Sequence, residues 1–132
     1  VDEIIRMGTG LVEIKSGYGL TLEDELKILR VIRRIRQTSP IAVRATFLGA
    51  HAVGRAYKGR QADYVDHVCR DMIPAVAKEG LAEFVDVFCD KGFFTVEETA
   101  KIIETGAKYG LSRTTFSVCP YITTVLLTAP MI

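Results

Sequence analysis

A chain of 132 residues that is 48% hydrophobic and 25% charged, with seventeen basic side chains against sixteen acidic, has the composition of a soluble globular protein. A net charge of +1 leaves no dominant basic face, which excludes nucleic acid and membrane surfaces as expected partners. A chain this long can bury roughly two thirds of its unfolded surface, enough for one modest core and one domain.

The amino end, Val1-Asp2-Glu3-Ile4-Ile5-Arg6, has neither the basic start nor the apolar run of a secretory signal, so the cytoplasm is the expected compartment. Its first residue is Val rather than Met, which suggests that part of a longer chain is missing. A first strand is predicted at about Gly10 to Lys15 and a helix at about Leu22 to Gln37. Leu22, Leu26, Leu29, Ile32 and Ile35 recur there at spacings of three and four. Thr21 is the expected N-cap, and Glu23, Asp24 and Glu25 place negative charge in the first turn, where the helix dipole favours it. Pro40 precedes a second strand at about Ile41 to Leu48, and a second helix is predicted at roughly Ala62 to Lys78. Pro74 should kink or restart that helix, because its ring clashes with the preceding turn and it has no N–H to donate; Gly80 is the expected stop.

A third strand is predicted at about Phe84 to Cys89, apolar except for Asp86. Thr95 and Glu98 form a capping-box signature for the third helix, which should end near Gly110. Repeated β-α order requires parallel strands with right-handed crossovers, giving an α/β fold that is either an open doubly wound sheet or a sector of a (β/α)8 barrel. Pattern alone does not choose. Beyond Gly110, Thr114–Val118 and Tyr121–Leu127 are β-prone. A closed barrel takes about 250 residues, so three units and a short tail would form only part of one. The stretch from Tyr121 to Ile132 is shorter than the ~18 apolar residues a spanning helix needs. Cys69, Cys89 and Cys119 show no C-x-x-C spacing and are expected to be reduced thiols.

Residues just past the carboxyl ends of parallel strands line a ligand crevice, which would put Tyr18 and His51 on one rim. Tyr18 lies between Gly17 and Gly19, so the loop can present its phenol at the strand mouth or fold it over the rim as mere cover. His51 could hydrogen-bond a polarised carbonyl, shuttle a proton, or be an ordinary loop residue. Ser16-Gly17-Tyr18-Gly19 lacks the spacing of a phosphate-binding loop. Lys15 shares a strand face with Glu13 and is expected to form a structural ion pair with it. His67 is expected to be structural, and Asp90 to cap the loop after the third strand. Two isolated histidines do not furnish a metal site, and no nucleophile triad or catalytic carboxylate pair can be assembled.

The segments Val12–Leu20, Thr46–Val53, Tyr57-Lys58-Gly59 and Val85–Cys89 together resemble the imidazolonepropionase family of the amidohydrolase superfamily, in matching order from about Gly8 to Leu111. That resemblance implies hydrolysis of 4-imidazolone-5-propanoate to N-formimidoyl-L-glutamate, a step of histidine degradation, in a TIM-like barrel carrying one zinc or iron. It also implies that Tyr18 and His51 contact the substrate and are not ligands of the metal. The implied metal is held by an H-x-H pair after the first barrel strand, a later histidine and an aspartate. None of these has a counterpart in this sequence, so the chain is expected to bind no catalytic metal and to be inactive alone. Residues 1–132 then form a single partial domain, with 1–111 a barrel sector and 112–132 a divergent tail. The alternative is a non-catalytic, flavodoxin-like module that binds a ligand or partner at its strand ends. Assemblies compatible with the sector include a homodimer and larger oligomers in which copies complete one another.

Overall fold

A computed structural model describes residues 1–113, and the β-prone stretches after Arg113, with Cys119, lie outside the described residues. A short helix α1 (Asp2–Arg6) precedes strand β1 (Leu11–Lys15). Helix α2 (Leu22–Thr38), strand β2 (Ala42–Ala50), helices α3 (Gln61–His67) and α4 (Ile73–Glu79), strand β3 (Phe84–Val87), helix α5 (Val96–Lys108) and strand β4 (Ser112–Arg113) follow. Helix α1 has no counterpart among the predicted elements. Nor does a 3-10 turn at Arg55–Tyr57.

The local punctuation acts where it was expected. Thr21 accepts a hydrogen bond from the Asp24 amide at 3.2 Å. Thr95 and Glu98 exchange both bonds of a capping box. Gly80 takes the left-handed conformation at φ 61°, and the Leu81 amide reaches back to the Val76 carbonyl, closing a Schellman turn. The second helix stays in the right-handed helical region from Gln61 to Glu79 but is not uniform. Residues Val68–Met72 widen into a π-helical turn immediately before Pro74, which accommodates a ring that would otherwise clash with the preceding turn. Strand ends differ by a residue or two from expectation: β2 runs on to Ala50, and β3 stops at Val87, with Cys89 joined to Phe94 by an isolated bridge.

All four strands are parallel and lie in sequential order β1-β2-β3-β4. The chain therefore enters a fourth strand beside the third. A doubly wound sheet reverses its strand order at a switch point and carries helices on both faces; the described strands show no reversal. Helix α2 packs on β2, α5 on β3 and β4, and the π-helical turn touches both α2 and α5, so the crossover helices form one layer on one face. Beneath that layer Val43, Ala45 and Phe47 of β2 and Val85 and Val87 of β3 meet Leu29, Ile32, Val68, Met72, Ile73, Val76 and Ile102 in a single core.

Alternation sends the intervening side chains to the opposite face, which no described helix covers. That face is polar. Lys15 Nζ lies 2.7 Å from Asp86 Oδ2 and 3.6 Å from Glu13 Oε1, and Thr46 donates to Glu13 at 2.5 Å. The expected Glu13–Lys15 pair is present, but Asp86, on a strand two places away, is the closer partner. Among the described residues no helix is long and apolar enough to cross a membrane.

Candidate functional site at the carboxyl ends of the strands

The ladder between β1 and β2 does not stop at Lys15. The Ser16 amide still donates to Thr46, and the buried Ser16 hydroxyl accepts from the Leu48 amide at 3.0 Å, replacing the next backbone bond with a side-chain one. Beyond it the chain must turn sharply. Gly17 does so at φ 113°, where a Cβ would lie 2.7 Å from the Leu48 carbonyl oxygen and 3.0 Å from His51 Cβ. Gly19 needs no unusual φ, but a Cβ there would meet Asp24 Cβ and the Glu25 amide at 2.7 Å.

This turn projects Tyr18 outward, with the side chain 82% exposed and its ring in edge contact with His51 at a centroid distance of 5.2 Å. The two residues named from the sequence thus meet on one rim. His51 Nδ1 lies 3.1 Å from the Gly17 carbonyl oxygen, which can only accept, so Nδ1 carries the proton. A neutral His51 then offers Nε2 as an acceptor. With Nδ1–H committed to Gly17, only the imidazolium can donate from Nε2 to a carbonyl.

The third strand adds a ring that sequence reasoning did not single out. Phe88 contacts His51 edge-on at 5.5 Å and Phe93 at 4.4 Å, so successive strands deliver Tyr18, His51 and Phe88 to a continuous aromatic rim. The available signal was positional, since Phe88 follows β3 as His51 follows β2.

The other candidates sit apart from this rim's chemistry. His67 stacks on Tyr57 and pairs with Asp71 at 2.6 Å, a structural arrangement. Asp90 accepts from the Lys91 amide at 2.7 Å and caps its own loop. Cys69 and Cys89 are buried free thiols. An open depression of about 500 Å³ is lined by Val53, Arg55, Lys58, Gly59 and Gln61; neither Tyr18 nor His51 lines it, and the rim's paired rings make the better case for chemistry. Among the described residues no group of three or more His, Cys, Asp or Glu side chains could hold a metal ion.

Under the rim lies a buried layer. Tyr64 is fully enclosed and donates its hydroxyl to the Gly49 carbonyl at 2.7 Å. Burial first, and then the nearby Glu25 charge, push its phenol well above the ordinary tyrosine range. It is a structural post rather than an acid or base.

Comparison with known proteins gives a consistent result. The chain is 53% identical over 111 residues to the imidazolonepropionase of Flavobacterium johnsoniae, an alignment covering 84% of this chain and 27% of that protein. The imidazolonepropionase of Brevibacillus brevis is 50% identical over 84% of this chain and 26% of its own length. That of Vibrio parahaemolyticus is 46% identical over 84% and 27%. No family model matches the chain. The similarity to imidazolonepropionases is thus high along most of the sequence, and the chain spans about a quarter of the length of the curated relatives it matches.

Proposed function

We propose that this chain is the substrate-contacting sector of an imidazolonepropionase, in which Tyr18 and His51 hold 4-imidazolone-5-propanoate during its hydrolysis to N-formimidoyl-L-glutamate in histidine degradation. The observation that carries the reading is the 5.2 Å pairing of Tyr18 with His51 at the strand mouths, within a chain about half identical to enzymes of that name. Sequential parallel strands with a single helical layer support a sector, residues 1–111, of a TIM-like (β/α)8 barrel, with 112–132 as its tail.

In this arrangement the Tyr18 hydroxyl donates to a substrate oxygen. The Nε2 atom of neutral His51 accepts a ring N–H, while Phe88 supplies an apolar wall that limits water at the histidine. These groups bind and orient a small, planar, polar substrate. The zinc or iron that the resemblance implies finds no ligand set among the described residues, so its ligands would come from other segments of a complete protein.

The test is kinetic and uses a complete protein containing this segment. Tyr18→Phe and His51→Ala are each expected to cost about 1.5–3 kcal/mol of transition-state stabilisation, a loss of roughly 10- to 150-fold in kcat/KM with an unchanged melting temperature. Wild-type kcat/KM in both variants would sink the reading.

A further inference from the structure

Glu25 lies in the first turn of α2, where an acid normally faces water, yet none of it is exposed. Its carboxylate turns back over the preceding loop. Oε2 accepts from the Gly17 amide at 3.0 Å, and Oε1 accepts from Gly19 at 2.8 Å and Leu20 at 3.0 Å. These N–H groups belong to the peptide links on both sides of Tyr18. Together they form a cradle of backbone donors closed around one carboxylate.

The conformation so held is not one the loop would favour unaided. Gly17 sits at φ 113°, and Leu20, a non-glycine residue, sits at φ 57° in the left-handed region. The Gly17 carbonyl, fixed by this same turn, is the atom that takes the His51 Nδ1 proton. A path of direct contacts therefore runs from a buried acid on α2, through Gly17, to the imidazole on the next strand.

We infer that Glu25 is a positioning residue for the rim. It sets the direction of Tyr18 and the tautomer of His51 without touching substrate. The inference rests on the function proposed above, which it deepens by naming what prepares the two holding groups. A purely structural Glu25 would stabilise the fold and leave the imidazole unaffected.

The experiment uses a complete protein containing this segment, with Glu25→Ala, Glu25→Gln and, as a stability control on α5 away from the rim, Ile102→Val. Three quantities are read at a temperature where each variant is folded: the 15N shifts of the His51 ring, exchange protection of the Gly17, Gly19 and Leu20 amides, and kcat/KM. Glu25→Ala is expected to mix the His51 tautomers, expose the three amides and lower kcat/KM on the order of 100-fold, as for a displaced contact group. Glu25→Gln keeps the Oε1 acceptor and should fall between Ala and wild type, and it decides the question if the Ala variant fails to fold. Ile102→Val should lower the melting temperature and change none of the three. A retained Nδ1–H tautomer with kcat/KM within twofold of wild type in the Glu25 variants overturns the inference. A wild-type protein that leaves 4-imidazolone-5-propanoate intact overturns the proposed function instead; the ring shifts and amide protection then still decide the role of Glu25.

Discussion

Replacing Gly17 by Ala puts a single methyl group where two separate obstacles stand. The first is torsional: φ of 113° lies beyond the left-handed well open to L residues, and such strain costs about 1–3 kcal/mol. The second is steric. The new Cβ would lie 2.7 Å from the Leu48 carbonyl oxygen, a backbone atom that no rotamer change can move, and 3.0 Å from His51 Cβ. Leu48 is itself tied to Ser16 through its amide, so relief requires the end of β2 to shift, an overpacking cost of about 1–3 kcal/mol. The two together give an expected destabilisation of about 2–6 kcal/mol in urea denaturation of a complete protein containing this segment. Because the yielding atoms carry His51, kcat/KM should also fall on the order of 100-fold at temperatures where the variant is folded. A stability change under about 0.5 kcal/mol with kcat/KM within twofold would refute this account of the loop, since a Cβ 2.7 Å from a backbone oxygen cannot be both real and free of cost.

Two further outcomes test the scaffold. Gly106→Ala on α5 gains about 1 kcal/mol of helix propensity but drives a Cβ to 2.5 Å from Val85 Cγ1, so it should lower the urea midpoint in the wild type and raise it once Val85→Ala has opened the space; additive effects in that double-mutant cycle would count against the packing. Arg30 grips Glu79 through two bonds of 3.0 and 2.6 Å, and this hydrogen-bonded pairing holds the Glu79 carboxyl below its usual range. Its contribution to stability is therefore present above the ordinary glutamate value of about 4.3 and is lost as pH falls through the lowered one; Arg30→Gln should flatten that acid limb, and 1 M salt should shrink the difference because the pair is exposed to solvent. An acid limb identical in both proteins at low salt would show that the pair contributes nothing.

What was legible in the sequence was local. Thr21, the Thr95–Glu98 box, Gly80 and Pro74 each act within a few residues of themselves, and their geometry follows from their own side chains. The convergence of Tyr18 and His51 was legible because both follow parallel strands, whose carboxyl ends share an edge. The place of Glu25 in the first turn of α2 was legible, but its bonds to the Gly17–Leu20 loop were not, because the helix dipole already explains an acid there and nothing in the spacing reveals that the loop folds back over it. The partnership of Lys15 with Asp86, 71 residues apart, depends on which strands lie side by side and in what register, which no periodicity encodes. The singly wound order of the strands likewise emerged only from their pairing.

The Lys15–Asp86 bond has a mechanical consequence. β1 and β3 are not neighbours; with strands about 4.8 Å apart, their backbones stand almost 10 Å from each other across β2. The 2.7 Å bond between their side chains spans the strand between them and ties β1 directly to β3 across β2. Such a tie resists sliding of the first strand against the third, a constraint between segments 71 residues apart that the ladder bonds between neighbouring strands do not supply by themselves.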